Sequence, residues 1–423
     1  MKRPTAAGSV SGTLFPGAPD RRNRQLVSVV RGFLDAGEEE AALEYIRSLP
    51  PERVTEAMRR YLRALALLET GEHARAEALL AAVVEADPTS FETREQYARV
   101  LLSNKRYETT LAQLEELVAR HPQRWEGHRA LASQLLRAGR PERAAGAIRL
   151  GLRHHPANEA LRDLNVHVRK ARNGPGWNKV YSQDSEHYSV ASDLDKKICR
   201  MASRELEGSL ELYSEHLGPV TLEAGRRFQV YLFSGFAGYE SYVEKVALGS
   251  AENTAGLYLT LIQQLLIWNV PQLEDMLSTI RHEGLHQYVD ARARNVPIWF
   301  NEGLAEYFEV VRFDRRGAEV GVLHERNVEV LERRSYGLVP LRRLLAMDYA
   351  EFYRGAELHY AQSWAFIHML RETTPAHRRA FDTLWNALVD GVPDAEAHAR
   401  AFEELGVDAL DRSLREYVKE LGD

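Results

Sequence analysis

The chain reads as an α+β protein, mostly helical, in which an N-terminal α-solenoid precedes a domain that opens with strands and closes with helices. Three observations carry that reading. Prolines and small residues recur every 34 residues between about 25 and 170. Short β-patterned runs follow between 181 and 270, and an H-E-x-x-H pattern at 282–286 begins the helical remainder. At 423 residues the chain is long enough for two or three domains.

Composition is that of a globular protein, 44% hydrophobic and 27% charged. A net charge of −6 argues against nucleic-acid binding, which calls for a basic stripe. The single cysteine, Cys199, excludes an internal disulfide and a thiolate metal site, and suits a reducing compartment.

Residues 1 to about 24 read as a disordered leader. Thr5 to Gly12 and Pro16 to Pro19 are small or turn-forming, with no apolar run to bury. The basic start Met1-Lys2-Arg3 is not followed by an apolar stretch of signal-peptide length. No later segment approaches transmembrane length. The expectation is a soluble, cytoplasmic chain without a membrane span.

Over 25–170, Pro88, Pro122 and Pro156 stand 34 apart, and so do Gly37, Gly71, Lys105 and Gly139. Ala64, Ala98 and Ala132 mark the middle of each first helix. Ala42, Ala76, Thr110 and Ala144 mark the second. This is the tetratricopeptide period, in which small residues let two helices cross closely, glycine permits the turn and proline ends the second helix. About four repeats are visible, the first degenerate where its proline arrives early at Leu49-Pro50-Pro51. One helix pair cannot bury its own apolar face, so the repeats stack. The surface so formed is expected to bind a peptide or partner protein, the alternative being a purely architectural role.

Ala171-Arg172-Asn173-Gly174-Pro175-Gly176-Trp177 is rich in turn formers and places a linker at 171–180. Beyond it, Glu186 to Ser192 predicts a strand, Leu194 to about Leu217 an amphipathic helix, and Phe228 to Phe233 a second strand. Phe236 to Val246 predicts a helix, and Gly256–Leu259 and Leu265–Trp268 two further strands. Strands first and helices afterwards give an α+β domain, strand-rich over 181–270 and helical over 271–423.

Arg281-His282-Glu283-Gly284-Leu285-His286-Gln287 is the stretch with chemistry in it. Pro271 suits a first turn, and Glu274 and Asp275 suit the positive helix end. Leu273, Leu277, Ile280, Gly284 and Tyr288 give a buried stripe. On that helix His282 and His286 leave one face a turn apart, a ready zinc clamp, with Glu283 placed to take a proton from water. H-E-x-x-H alone is a weak signal. Trp299-Phe300-Asn301-Glu302-Gly303-Leu304-Ala305-Glu306-Tyr307 strengthens it, because Pro297 starts a second helix whose Glu302 is able to return to the imidazole pair.

His282-Glu283-Gly284-Leu285-His286 followed by Trp299-Phe300-Asn301-Glu302-Gly303 resembles the gluzincin metallopeptidases, the peptidase MA-like group. The resemblance implies His282, His286 and Glu302 as ligands of one zinc ion and Glu283 as general base. It implies that Glu306, one turn after the third ligand, holds the other nitrogen of the first histidine. The segment from Leu358 to Leu370 is similar to one in the aminopeptidase-like members where a tyrosine opens a helix, implying that Tyr360 donates to the oxyanion. Family members also lay an edge strand along the cleft for the substrate backbone, and either of the last two strands is a candidate. The Gly-x-Met-Glu-Asn segment by which aminopeptidases grip a free amine is absent. Asn253-Thr254-Ala255-Gly256-Leu257-Tyr258 stands there instead, so endo- versus aminopeptidase stays open.

The last stretch, His377 to Leu421, predicts helices whose Phe381, Leu384, Trp385, Phe402, Leu405, Leu414 and Tyr417 form core. His324, His359 and His368 are read as surface or satisfied core residues rather than ligands. The expected function is zinc-dependent hydrolysis of a polypeptide substrate. A tetratricopeptide scaffold with a non-catalytic zinc domain is the rival, disfavoured because a structural site needs no Glu283. Hydrolysis of another amide is a third reading.

Overall fold

A computed structural model describes residues 21–421 apart from 53, 71, 105, 223–225, 248–253, 270–271, 294–295, 315–316 and 335–336. Most of the leader, and Gly71, Lys105 and Pro271, therefore lie outside the described residues. The chain divides into two compact units, Met1–Arg172 and Asn173–Asp423.

The first unit is a run of helices: α1 (Arg21–Asp35), α2 (Glu39–Ser48), α3 (Glu56–Glu69), α4 (His73–Ala86), α5 (Phe91–Ser103), α6 (Tyr107–Arg120), α7 (Trp125–Arg137), α8 (Pro141–His154) and α9 (Glu159–Asn173). From α1 to α8 each helix packs on the next. Ala64, Ala98 and Ala132 are buried at the first-helix crossings, and Ala42, Ala76, Thr110 and Ala144 at the second. The repeat position is thus set by volume, with one small side chain per crossing, alanine at all of these but Thr110. Gly37 and Gly139 turn the chain with φ of 72° and 67°, a left-handed conformation that glycine adopts without steric cost. Pro88, Pro122 and Pro156 follow the ends of α4, α6 and α8. The early prolines cut α2 to 10 residues where α4, α6 and α8 have 14. Two expectations are corrected. Residues 21–24, assigned to the leader, open α1, and 171–173, assigned to the linker, complete α9.

The second unit comprises β1 (Tyr181–Asp184), β2 (Tyr188–Ser192), α10 (Lys196–Leu217), β3 (Phe228–Phe233), α11 (Phe236–Ala247), β4 (Gly256–Leu259) and β5 (Gln264–Trp268). Then come α12 (Leu273–Arg292), α13 (Ile298–Glu309), the hairpin β6 (Arg312–Asp314) and β7 (Gly317–Glu319), and α14 (Glu325–Arg334). It closes with α15 (Leu341–Leu345), α16 (Tyr349–Arg354), α17 (Ala356–Glu372), α18 (Pro375–Val389), α19 (Asp394–Phe402) and α20 (Val407–Glu420). The main sheet has the order β1-β2-β3-β5-β4. Parallel β2-β3 and β3-β5 pairs form its middle, and antiparallel partners flank them. β2 carries buried residues on alternate positions and so does most of β3, whereas β5 is buried at four successive positions, as a strand covered on both faces is. That leaves β4, the shorter of the last two strands, on the outer edge.

β4 lies against α12, and α12 in turn packs on α10 and α13. The buried Arg281 fixes that arrangement. Its guanidinium bonds Glu205 of α10 at 2.6 Å, Glu274 at 3.0 Å and the Glu309 carbonyl at the end of α13 at 2.7 Å. Tyr213 of α10 donates to the Arg281 carbonyl at 2.7 Å. A buried cation so completely paired specifies which helix faces meet. Residues Phe381, Leu384, Trp385, Phe402 and Leu414 are buried as the sequence predicts, whereas Leu405 and Tyr417 only pack against the core. No described helix is long and apolar enough to cross a membrane.

Candidate functional site

α12 begins without a side-chain cap at Gln272 but with Glu274 and Asp275 in its first turn, where acids offset the exposed N–H groups. α13 starts directly after Pro297, whose fixed φ of −56° sets the entry of the chain. It packs most closely on α17. A Cβ added at Gly303 would lie 2.6 Å from the Ser363 carbonyl oxygen, so only glycine lets the two backbones touch there. Glu302, the neighbouring residue, is thereby held at the face of α12.

His282 and His286 put their rings 4.9 Å apart, nearly perpendicular. Their Nε2 atoms lie 3.4 Å and 3.3 Å from the same oxygen, Glu302 Oε2. That carboxylate is 4% exposed, and its Oε2 makes no hydrogen bond. The three donor atoms all lie within 4.8 Å of one another. Tetrahedral ligands ~2.0–2.1 Å from a zinc ion stand ~3.4 Å from each other, so the donor set and its spacing fit such an ion. A buried carboxylate oxygen facing two imidazole nitrogens without a proper hydrogen bond is otherwise a poor use of three polar atoms.

Electrostatics point the same way. Burial favours a neutral Glu302, but His286 and His282 outweigh it and hold the carboxyl well below its ordinary range. Burial likewise opposes charge on the histidines, yet Glu302 and Glu309 raise His282, and Glu302 raises His286. A cation entering here has to displace protons, so its binding weakens as pH falls.

Glu283 flanks the cluster. Its carboxylate accepts from the Tyr258 amide on β4, and β4 passes so close that a Cβ at Gly256 would meet Thr279 at 2.8 Å and Glu283 at 2.9 Å. Desolvation pushes the Glu283 carboxyl up, against the pull of both imidazoles. A carboxylate made more basic than usual suits proton abstraction. Tyr360 on α17 lies over His282, ring centroids 6.4 Å apart and 26° from parallel. Burial first, and then the Glu302 charge, keep its phenol protonated.

The structure changes one assignment. Glu306 lies 3.8 Å from His282 Nδ1, while Glu309 accepts from that nitrogen at 2.8 Å. Ser278 donates to the other Glu309 oxygen at 2.6 Å, and Arg281 holds the Glu309 carbonyl, so Glu309 is aimed at the ring from both ends. Glu306 is occupied instead by Asn327 at 2.8 Å and His324 at 3.1 Å. Residues 302, 306 and 309 share one helix face, which is the signal that could have found Glu309. Tyr353 on α16 was also missed. Its hydroxyl donates to Glu302 Oε1 at 3.0 Å, leaving Oε2 for the imidazoles. His359 pairs with the Phe352 carbonyl at 2.6 Å, and His368 with the Gly321 carbonyl and Tyr417, so both are satisfied core residues.

Two family models match the chain. One, described as a tetratricopeptide repeat, covers residues 67–135. The other, described as a protein of unknown function (DUF1570), covers 276–385, and so spans every residue of the cluster from His282 to Tyr360. Tetratricopeptide repeats thus occupy the N-terminal unit, and a DUF1570 region the C-terminal one. No curated protein matches. Similar solved structures include "MamA RS-1 ArsTM double mutant", 19% identical over 37% of this chain and 88% of that one, with a TM-score of 0.31. Another is "MamA 41-end from Desulfovibrio magneticus RS-1", 20% identical over 37% and 88%, with a TM-score of 0.30.

Proposed function

We propose that the C-terminal unit is a zinc-dependent hydrolase of peptide bonds, built like a gluzincin, and that the repeat unit recruits its polypeptide substrate or a partner protein. One observation carries the reading: Glu302 Oε2 stands 3.3–3.4 Å from two imidazole nitrogens, with a basic carboxylate and a protonated phenol on either side. His282, His286 and Glu302 would hold the ion. When bound, zinc supplies Lewis acidity that polarises a scissile carbonyl and acidifies water. Glu283 takes the proton of the attacking water and passes it to the departing amine. Tyr360 donates to the oxygen on which negative charge develops. Glu309 keeps the proton of His282 on Nδ1, so that Nε2 presents its lone pair.

Incubating the full chain with a peptide library, with and without chelator, tests this. Cleavage that the chelator stops and zinc restores is expected. Cleavage indifferent to chelator contradicts it. A second reading, a repeat scaffold whose zinc domain does no chemistry, draws on the tetratricopeptide match; metal retention without hydrolysis of any peptide would favour it.

The reassigned partner gives a further expectation. Glu309→Ala should weaken zinc binding about 10–100-fold in a competition titration, as loss of a ligand-orienting carboxylate does. Glu306→Ala should cost less. The reverse order would restore Glu306 as the orienting acid.

A further inference from the structure

α16 is a helix of only 6 residues, and its own sequence fixes how it sits. Asp348 caps its start, accepting from the Glu351 amide at 2.7 Å. Phe352 is fully buried, and its carbonyl accepts from His359 Nδ1 at 2.6 Å. Gly355 then turns the chain into α17 so tightly that a Cβ there would meet the His359 ring at 2.7 Å. Anchored in this way, α16 packs on both α13 and α17. Tyr353, next to the buried Phe352, is 50% exposed, and its ring stands 6.3 Å from that of Tyr360. Its hydroxyl nevertheless reaches inward, donating at 3.0 Å to Oε1 of Glu302, a residue only 4% exposed.

A carboxylate facing a cation offers it either one oxygen or two. The two oxygens of Glu302 have different surroundings. Oε1 has the Tyr353 hydroxyl, whereas Oε2 has no hydrogen bond and lies 3.3 Å and 3.4 Å from the His286 and His282 nitrogens. A catalytic zinc site keeps one position for water beyond its three protein ligands, and a second oxygen from Glu302 would compete for it.

We propose that Tyr353 is a positioning residue that, by holding Oε1, limits Glu302 to a single coordinating oxygen and keeps the remaining position for water and substrate. This deepens the proposed function and rests on it for the identity of the ligands. Without the hydroxyl, Oε1 is a buried acceptor with no donor, and turning it to the ion relieves that cost. Tyr353→Phe removes one atom and keeps the ring, so the packing of α16 should survive.

The test uses the full chain loaded with cobalt(II), whose visible absorption is strong in four-coordinate sites and weak in five-coordinate ones. The control is Tyr349→Phe, one turn earlier on α16, with its ring 6.3 Å from that of Tyr353. Tyr353→Phe is expected to lose visible intensity relative to the wild type and to Tyr349→Phe, and to bind zinc at least as tightly as the wild type in a competition titration. With zinc in place, its kcat on a cleaved peptide should fall about 10–100-fold while KM stays within about twofold of the wild-type value. An unchanged spectrum in Tyr353→Phe overturns the assignment whatever its activity, because a tyrosine that only braces the fold leaves the coordination number alone. Weaker zinc binding in that variant contradicts it too. Wild-type protein that binds cobalt but cleaves no peptide, with the spectral change still present in Tyr353→Phe, overturns the proposed hydrolase and leaves the role of Tyr353 standing. Wild-type protein that takes up no cobalt overturns both.

Discussion

Glu283→Gln is expected to abolish most hydrolysis, lowering kcat by about 10²–10⁴-fold while zinc content stays at the wild-type level. The two halves of that result separate base from ligand. Glu283 stands beside the cluster of His282, His286 and Glu302, where desolvation raises its carboxyl and the Tyr258 amide fixes its direction. Glutamine preserves the side-chain length and an oxygen for that amide but accepts no proton at neutral pH. His282, His286 and Glu302 are untouched, so metal binding should survive. Assays on metal-replete enzyme, with zinc content determined on the same sample, check both halves. Unchanged turnover would remove Glu283 from the chemistry, and a loss of zinc equal to the loss of activity would make it a ligand.

The largest effect on stability is expected at Gly303. Alanine there would bring a methyl group to 2.6 Å from the Ser363 carbonyl oxygen and 2.7 Å from its carbon. Both are backbone atoms in the stretch of α17 that is buried from Ala361 to Leu370, so no side chain can rotate away and α13 and α17 must part. Overpacking of this kind costs about 3 kcal/mol, the upper end of the usual range. That is a large share of a typical stability of about 5–15 kcal/mol. For a unit of this size it should lower Tm by about 6–12 °C. Gly284, between the two histidines, is the contrast. A Cβ there meets only the Leu206 side chain, at 3.3 Å, and alanine adds helix propensity worth about 1 kcal/mol. Gly284→Ala should therefore leave Tm nearly unchanged. Equal losses for the two variants would mean that the α13–α17 contact is not what makes Gly303 necessary.

Much of the fold was legible because its causes are local. A 34-residue period in alanine and proline is a statement about crossing volume and helix stops, and the burial of Ala98 and Ala132 is the same statement in three dimensions. The strands from Phe228 to Phe233 and from Gly256 to Leu259 were visible through apolar patterning and turn residues. β1 was not. Tyr-Ser-Gln-Asp is a half-exposed edge strand with no apolar pattern to betray it. The hairpin β6–β7, three residues a side, is too short for any periodicity. Strand order was likewise out of reach. That β5 sits inside and β4 outside depends on pairing β5 with β3 across 30 residues of chain, which no local signal encodes.

The same division runs through the site. His282, Glu283, His286 and Glu302 announce themselves by spacing on helices. Glu309 and Tyr353 do not, because each acts through a contact that only tertiary packing creates. Arg281 and Ser278 bring Glu309 to His282, and the short helix α16 brings Tyr353 to Glu302. Glu306 was the closer guess by helical turn, but Asn327 and His324 had already claimed it.

Metal content tests the central claim most directly. Full-length protein purified without chelator, dialysed against metal-free buffer and examined by elemental analysis should retain about one zinc ion per chain. His286→Ala should retain almost none, since two donors remain of three. Wild-type protein that holds no zinc even after incubation with the ion, or a variant that holds as much as the wild type, would contradict the assignment of His282, His286 and Glu302 as its ligands.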